Sequence, residues 1–373
     1  MFTRSTTLPL WTLALLLAAT QSPAAADTGG TSVDAAQDDF HPGLFVDEQR
    51  RWNVHIDNDL LVFSDKDRDY TAGAAFTLVG DSARHHPVSL SEALGWIDGK
   101  TRFDALFSDA DEETHALEIG LLIFTPHEIA DPEPLFDDRP YANLTYVGST
   151  RLIYDPASPT AYQSSLIVGF LGLPMVEQLH RSVHDIVGAE KPMGYDHQIS
   201  DGGEPTFRYS LSRYDLLASS SRAGRSYALR LGWGASVGYI TEANVELGAR
   251  WGTGSTPWWS AFAESADYAG HPTMTPRIGS AQVDRVEWEF SAGVKLRARL
   301  YNSFLQGQFR DSDVTYASSE LNHLLLEGWI GVTALLPNNF SVSYTIRHQT
   351  EELETGRGAR GFTWASLSLS QRF

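Results

Sequence analysis

The sequence predicts an all-β fold: a transmembrane antiparallel β-barrel of about 12 strands, with a short helix in one long outer loop. Many segments alternate apolar and polar residues with a period of two, the pattern of a strand with two different faces. They are about ten residues long or longer, enough for a tilted strand to cross a bilayer. Their polar faces carry charges and serines, as expected of a hydrated lumen. A soluble sandwich would also alternate, so segment length and the polar faces favour the barrel.

The beginning of the chain predicts export. Arg4 precedes an uncharged, mostly apolar run, and small residues follow it up to Ala26. This is the pattern of a signal peptide with an A-x-A cleavage site. We therefore expect a cleaved signal peptide at residues 1–26, a polar acidic leader at 27–50 and the barrel at 51–373.

Residues 286–298 illustrate the strand pattern. Apolar side chains from Val286 to Ala298 share one face, and Glu287, Lys295 and Arg297 are among those on the other. Similar segments number 13 in the chain. They lie near residues 51–63, 70–80, 115–125, 143–154, 162–171, 206–216, 226–239, 242–251, 285–298, 301–310, 323–336, 339–350 and 361–373.

Single-chain bacterial barrels have an even number of strands. We therefore expect about 12 strands, with the surplus candidate between residues 206 and 251, where glycine-rich sequence blurs the boundaries. The last segment ends at Phe373, an ending typical of bacterial outer-membrane proteins.

Composition excludes some partners. The 373 residues include no cysteine, which fits an exported protein that does not rely on disulfides. The formal net charge of −19 argues against direct binding to nucleic acid. After the signal peptide, no segment has the roughly 18 apolar residues of a transmembrane helix.

The segment from Glu177 to Val187 departs from the period of two. Leu179, Val183 and Ile186 recur at helical spacing, and Gly188 is a suitable C-terminal stop. We expect a short helix here, inside the long loop between two strands.

An acidic stretch, "HIDNDLLVFSDKDRDYTAG", joins the first two predicted strands. Asp65 and Asp67 are interpreted as a solvated loop. Asn58 and Asp59 differ because they interrupt an apolar strand, and their oxygen atoms suit Ca²⁺.

If the first strand rises from the periplasm, this stretch lies at the outer rim. Thr71 begins the descending second strand, and the loops 126–142 and 172–205 lie at the same end. Three polar clusters that are distant in sequence should therefore converge on one site.

His180 and His184 lie four residues apart on one helix face, a spacing that could hold Zn²⁺. A third ligand is not evident, and a structural role is more common for a residue such as His180. Glu190 follows His184 just past Gly188, where the chain can fold back. A carboxylate that orients a histidine lets the imidazole act as a general base.

Three motifs together resemble the lipid A 3′-O-deacylases of Gram-negative outer membranes. They are "NDLLVFSDKDRDYTAG", "TPHEIADPEPLFDDRPYANLTYVG" and "VHDIVGAEKPMGYDHQ", in the order of that family. The resemblance extends, more weakly, from about residue 52 to Phe373. It implies a twelve-stranded barrel and a Ca²⁺-dependent hydrolase that removes the 3′-linked acyloxyacyl group from lipid A of lipopolysaccharide in the outer leaflet.

Carried over by motif, the family's active-site residues fall on Asn58, Asp59, Thr71, His184 and Glu190. The chain departs from the family where Asp57 replaces a common Glu, and where the acidic stretch "PHEIADPEP" lacks basic residues for lipid A phosphates. Arg68, Arg139 and Lys191 are the remaining candidates to bind those phosphates.

The expected mechanism is direct attack by water, because no serine stands out beside His184. His184 would accept the proton, Glu190 would hold its ring, and Ca²⁺ bound by Asp59 would stabilise the oxyanion. We expect a monomer in the outer membrane. Two alternatives stay open: an outer-membrane phospholipase with a serine nucleophile, and a non-catalytic, porin-like barrel.

Overall fold

The computed structural model describes residues 50–62, 68–107, 111–222, 224–253, 256–259 and 285–372. The described residues leave out the predicted signal peptide, the leader up to residue 49 and Phe373. They also leave out residues 63–67, the centre of the acidic stretch between β1 and β2, which is called the acidic turn below.

Twelve strands within the described part of the chain form one closed barrel, and each strand is antiparallel to its neighbours. Neighbours in sequence are neighbours in the barrel, and β1 pairs with β12 to close it. The predicted fold class is confirmed. The strands are β1 Arg51–Asn58, β2 Asp69–Val79, β3 Glu112–Thr125, β4 Ala142–Tyr154, β5 Thr160–Leu171, β6 Glu204–Arg222, β7 Arg225–Gly238, β8 Ile240–Gly252, β9 Glu287–Asn302, β10 Leu324–Leu336, β11 Phe340–Gln349 and β12 Phe362–Arg372.

The surplus candidate is the segment 301–310, and the expectation that it lies between residues 206 and 251 was wrong. At the end of β9, the side chain of Asn302 accepts a hydrogen bond from the N–H of Phe304 (3.1 Å). This bond caps the short helix α4, Ser303–Gln306, which Gly307 ends with a φ of 70°. Local capping therefore overrides the strand-like alternation of this segment.

Ion pairs fill the lumen. The carboxylate of Glu242 accepts hydrogen bonds from Arg297 (2.8 Å) and Arg299 (2.8 Å), and Arg347 donates to Glu327 (3.0 Å). These buried charges have partners of opposite sign, which offset the cost of removing them from water. A lumen packed in this way argues against the porin-like alternative.

The outward faces are apolar. On β9 the exposed side chains run from Trp288 to Leu300, whereas Glu289 and Lys295 point inward and are buried. The two faces predicted for this segment are thus confirmed.

The chain enters β1 and leaves β12 at one end of the barrel, which is the periplasmic end in bacterial barrels. Two helices follow β2 at that end, α1 (Asp81–Arg84) and α2 (Ser91–Thr101). The longest described helix, α3 (Pro174–Val187), follows β5 at the outer end and confirms the predicted helix. None of the described helices has the length and apolar character needed to cross a membrane.

Candidate active site

Asn58 and Asp59 lie where β1 ends, at the outer end of the barrel. Asn58 Nδ2 donates to the carbonyl of Thr71 (2.8 Å), and its Oδ1 accepts from the N–H of Leu60 (2.6 Å). These bonds turn the chain out of the strand. Asp59 is only 4% exposed, and its Oδ2 accepts from the N–H of Arg68 (2.7 Å). The two ends of the acidic turn are therefore held together.

Thr71 lies at an irregularity in β2. The register with β3 shifts between Tyr70 and Ala72, so Thr71 has no direct partner across the strand pair. Its buried Oγ1 lies 2.5 Å from Oγ1 of Thr125, the last residue of β3. Such bulges redirect side chains, and here the bulge places two hydroxyl groups beside the acidic turn.

His127, which the sequence analysis did not single out, links the acidic turn to the loop between β3 and β4. Arg68 Nη1 donates to His127 Nδ1 (2.7 Å), since a guanidinium can only donate. The N–H of His127 donates to Asp138 Oδ2 (2.9 Å). One continuous set of hydrogen bonds thus runs from Asp59 to Asp138.

Arg360, from the loop between β11 and β12, clamps the same two segments together. Its guanidinium donates two bonds of 2.9 Å to Asp69 and lies 2.9 Å from Asp138 Oδ1. Burial opposes the charge, but the two carboxylates outweigh it and raise the pKa of Arg360. A planar guanidinium is well suited to bridging two carboxylates in a fixed geometry.

Helix α3 is amphipathic. Pro174 lies in its first turn, and Gly188 caps it with a φ of 71° in the left-handed region. Val176, His180 and His184 share its buried face. Its neighbouring face is apolar and exposed, and consists of Met175, Leu179, Val183 and Ile186, which we call the α3 stripe.

The orientation of His184 differs from the sequence prediction. Its Nδ1 donates to the main-chain carbonyl of Glu190, while the Glu190 side chain is exposed. The chain does fold back past Gly188, but it presents its backbone to the ring rather than the carboxylate. Because a carbonyl can only accept, Nδ1 carries a proton, and in the neutral ring the lone pair lies on Nε2. This is the tautomer that a general base requires at Nε2.

Aromatic residues connect α3 to the loop between β3 and β4. His180 Nδ1 lies 2.9 Å from the hydroxyl of Tyr195, and the rings of His180 and His184 meet edge to face at 4.3 Å. Tyr195 packs on Tyr141 (4.5 Å), whose hydroxyl donates to the carbonyl of Ile129 (2.6 Å). The loop that holds His127 therefore also holds α3, and the three polar clusters form one network.

The three predicted phosphate ligands have different environments. Arg68 is half-buried, and Lys191 is exposed with its Nζ 2.7 Å from Asp185. Arg139 is buried in an ion pair with Glu352, with its guanidinium 4.9 Å from the ring of Phe124. Arg139 is therefore not available as a phosphate ligand, contrary to the prediction, because it neutralises the buried carboxylate of Glu352.

The side chains at the outer ends of β1, β2 and β3 offer oxygen atoms as metal ligands: the carboxylate of Asp59, the amide of Asn58 and the hydroxyls of Thr71 and Thr125. This donor set fits Ca²⁺, which prefers oxygen ligands, better than Zn²⁺. Within the part of the chain that the structure describes, no group of three or more His, Cys, Asp or Glu side chains could hold a metal. His180 and His184 thus lack a third side-chain ligand of these types in that part of the chain.

A family model described as outer membrane protein LpxR matches residues 10–373 of the chain. The chain belongs to this family. It is the lipid A 3′-O-deacylase family that the motifs resemble, so that resemblance is confirmed and the barrel is an outer-membrane protein. At the level of the family, the chain is a lipid A deacylase.

Among solved structures, LpxR from Salmonella typhimurium is similar, with 16% identity over 87% of this chain and 100% of that chain and a TM-score of 0.65. This likeness supports the same fold. The translocator domain of autotransporter NalP from Neisseria meningitidis shows 7% identity, coverage of 87% and 88%, and a TM-score of 0.35. No curated protein sequence matches.

A serine beside a histidine would favour the phospholipase alternative, and Ser368 does lie in such a place. Its Oγ is 2.7 Å from His55 Nδ1, and His55 Nε2 is 2.7 Å from Asp57. In a hydrolytic triad the serine bonds to Nε2 of the histidine and the acid bonds to Nδ1, which is the reverse of the arrangement at His55. All three residues are buried in the lumen. We interpret them as part of the lumen packing of this LpxR-family barrel.

Sequence reasoning did not single out several members of the network, among them His127, Asp138, Tyr195 and Arg360. The first three lie within the family motifs, which could have identified them. Arg360 lies in a distant loop without such a signal, and only the pairing of β12 with β1 brings it to the acidic turn.

Proposed function

We propose that this LpxR-family protein is a Ca²⁺-dependent esterase that removes the 3′-linked acyloxyacyl group from lipid A in the outer leaflet. The observation that carries the proposal is the network at the outer end, which joins the end of β1 to the histidine face of α3. The exposed α3 stripe lies beside it. Polar groups for ester hydrolysis and an apolar surface for acyl chains are thus adjacent. The barrel is closed without a partner strand, and we propose that it acts as a monomer.

The α3 stripe supports a lipid substrate. Ile186 is 85% exposed, and Phe170 and Phe207 are exposed on the outward faces of β5 and β6, the two strands that flank α3 in the chain. In the outer membrane such apolar surface is covered by hydrocarbon rather than by water. The acyl chains of a lipid substrate can therefore lie against this wall while its ester linkage reaches His184.

His184 is the proposed general base. With its Nδ1–H held by the carbonyl of Glu190, Nε2 takes a proton from water as the water oxygen attacks the ester carbonyl. The tetrahedral intermediate then loses the sugar oxygen, which receives the proton from Nε2. The products are a free acyloxyacyl acid and a 3′-hydroxyl group. The carbonyl of Glu190 keeps the ring oriented and stabilises the transient imidazolium.

Asp59 is the proposed ligand of Ca²⁺, together with neighbouring amide and main-chain oxygens. When bound, the cation polarises the ester carbonyl and offsets the negative charge of the oxyanion. Asn58 and Thr71 fix the turn that carries Asp59, through the bond between the Asn58 amide and the Thr71 carbonyl. Removing the Asn58 side chain should therefore reduce activity by displacing Asp59, and removing the Thr71 side chain should do so through loss of its contact with Thr125.

Lys191 and Arg68 are the proposed phosphate ligands. The pair between Lys191 and Asp185 is exposed, and exposed pairs contribute about 0–1 kcal/mol, so a phosphate can replace the carboxylate at little cost. The Arg68 guanidinium donates a hydrogen bond to Nδ1 of His127. This acceptor is a ring nitrogen and not a carboxylate, so the contact does not neutralise the positive charge of Arg68, which can attract a phosphate.

The test is the lipid A mass spectrum of a host that lacks such an enzyme. Expression of the wild type should remove the 3′ acyloxyacyl group, and expression of His184→Ala should leave lipid A intact. His85→Ala, at an exposed position of the periplasmic end, is the matched control and should behave as the wild type. Intact lipid A with correctly folded wild-type protein would contradict the proposal. Loss of a phospholipid chain instead would favour the phospholipase alternative.

A further inference from the structure

Helix α2 is attached to the barrel by polar contacts. The N–H of Leu90 donates to Ser149 Oγ on β4 (2.9 Å). The carboxylate of Asp98 accepts from Ser164 Oγ on β5 (2.7 Å) and from the hydroxyl of Tyr209 on β6 (2.8 Å). The three contacts are made to three adjacent strands of the barrel, β4, β5 and β6.

These contacts lie on the outer surface of the barrel rather than in the lumen. Ser164 shares its strand face with Val168 and Phe170, and Tyr209 shares its face with Phe207. Side chains two residues apart in a strand point the same way. Since Val168, Phe170 and Phe207 are exposed to the membrane, α2 is packed against the lipid-facing wall.

The helix runs around the barrel. It is anchored to β4 just before its start, to β5 at Asp98, and to β6 at its end, where Thr101 Oγ1 lies 3.2 Å from the Tyr209 hydroxyl. Eleven residues of helix are about 16 Å long, comparable with the width of the three strands crossed. Its axis therefore runs across the three strands rather than along them.

Its depth follows from a comparison of two walls. On β9 the exposed apolar band extends from Trp288 to Leu300. On β5 the corresponding exposure is limited to Val168 and Phe170, because Leu166 and Ser164 below them are buried. Helix α2 thus replaces the periplasmic part of the lipid-facing band on this side of the barrel.

The free side of α2 carries residues typical of a membrane interface. Leu94 and Asp98 face the wall, so Trp96 between them points away from it and is 67% exposed. Lys100 Nζ lies 5.7 Å from the centre of the Trp96 ring. Tryptophan favours the headgroup level of bilayers, and lysine there attracts anionic lipids.

We infer that α2 is an interfacial helix that binds the phospholipid headgroups of the periplasmic leaflet through Trp96 and Lys100. The partner is a phospholipid surface because the helix continues the lipid-facing wall of β4, β5 and β6. Periplasmic-leaflet lipid is displaced from the wall below α3, on the side of the barrel that carries the candidate active site.

The chain has no cysteine, so single cysteines can be introduced for spin labelling. Ala93→Cys places a label on the exposed face of α2 and keeps both proposed anchors. Ile330→Cys reports the lipid-facing wall, and Ser220→Cys reports the water-exposed tip of the hairpin between β6 and β7. Collision rates with oxygen and with a water-soluble nickel chelate are measured in nanodiscs of phosphatidylethanolamine and phosphatidylglycerol.

At Ala93→Cys the ratio of oxygen to nickel collisions should be several-fold above that at Ser220→Cys and below that at Ile330→Cys. Equal ratios at Ala93→Cys and Ser220→Cys would overturn the inference, because the helix would then lie in water. Adding Trp96→Ser and Lys100→Ser to Ala93→Cys should lower its ratio towards the aqueous value. An unchanged ratio would overturn the assignment of these two residues as the anchors.

Discussion

Replacing His184 with alanine should lower turnover by about 10²–10⁴-fold, the contribution of a positioned general base. Each factor of ten corresponds to about 1.36 kcal/mol, so the loss is about 3–5 kcal/mol of transition-state stabilisation. The structure predicts that little of this comes from misfolding. The ring contacts the His180 ring and the Glu190 carbonyl, both outside the strands, and that carbonyl lies in an exposed loop where water can replace the lost donor.

The assay is release of the 3′ acyloxyacyl acid from purified lipid A in detergent micelles, with kcat and KM determined separately. Heat-modifiable electrophoretic mobility reports whether the barrel is folded. His180→Asn is the matched control, because His180 bonds Tyr195 and positions α3 without accepting the water proton in this mechanism. Its kcat should fall by less than about tenfold, well short of the loss of a general base.

Two results would refute this reasoning. A folded His184→Ala protein that keeps more than about a tenth of the wild-type kcat does not use His184 as a base. An equal loss of kcat in His180→Asn would mean that both histidines only support the position of α3.

Three further predictions concern the surroundings of His184. Chelation by EDTA should abolish ester release and added Ca²⁺ should restore it, whereas unchanged activity in the chelator would exclude the metal. Arg360→Ala should weaken Ca²⁺ binding, measured by calorimetry, by up to about tenfold, the lower end of the range for groups behind a metal ligand, because Arg360 acts on Asp59 through Asp138, His127 and Arg68. Arg360→Lys should restore only part of the binding because the two-pronged contact to Asp69 and Asp138 is lost. In Glu190→Ala the proton of His184 should stay on Nδ1 in ¹⁵N NMR spectra, since the carbonyl remains; a shift of the proton to Nε2 would assign the orientation to the carboxylate.

Sequence alone determined the barrel and the elements around the site. Alternation along 286–298 predicted which side chains face lipid, because the period of a strand is a local property. Helical spacing and Gly188 predicted α3 for the same reason. The segment 301–310 shows the limit, since a single capping bond at Asn302 decides between helix and strand there.

Only the tertiary structure decided how side chains are used. Arg139 could have bound a phosphate, but closure of the barrel places it against Glu352. Glu190 was expected to orient His184 with its carboxylate, and the path of the chain presents its carbonyl instead. Arg360 reaches the acidic turn across 291 residues of sequence, and α2 lies on the outside of the wall rather than below it. Periodicity is fixed between neighbours in the chain, whereas the partner of a charge depends on which distant segments the closed barrel brings together.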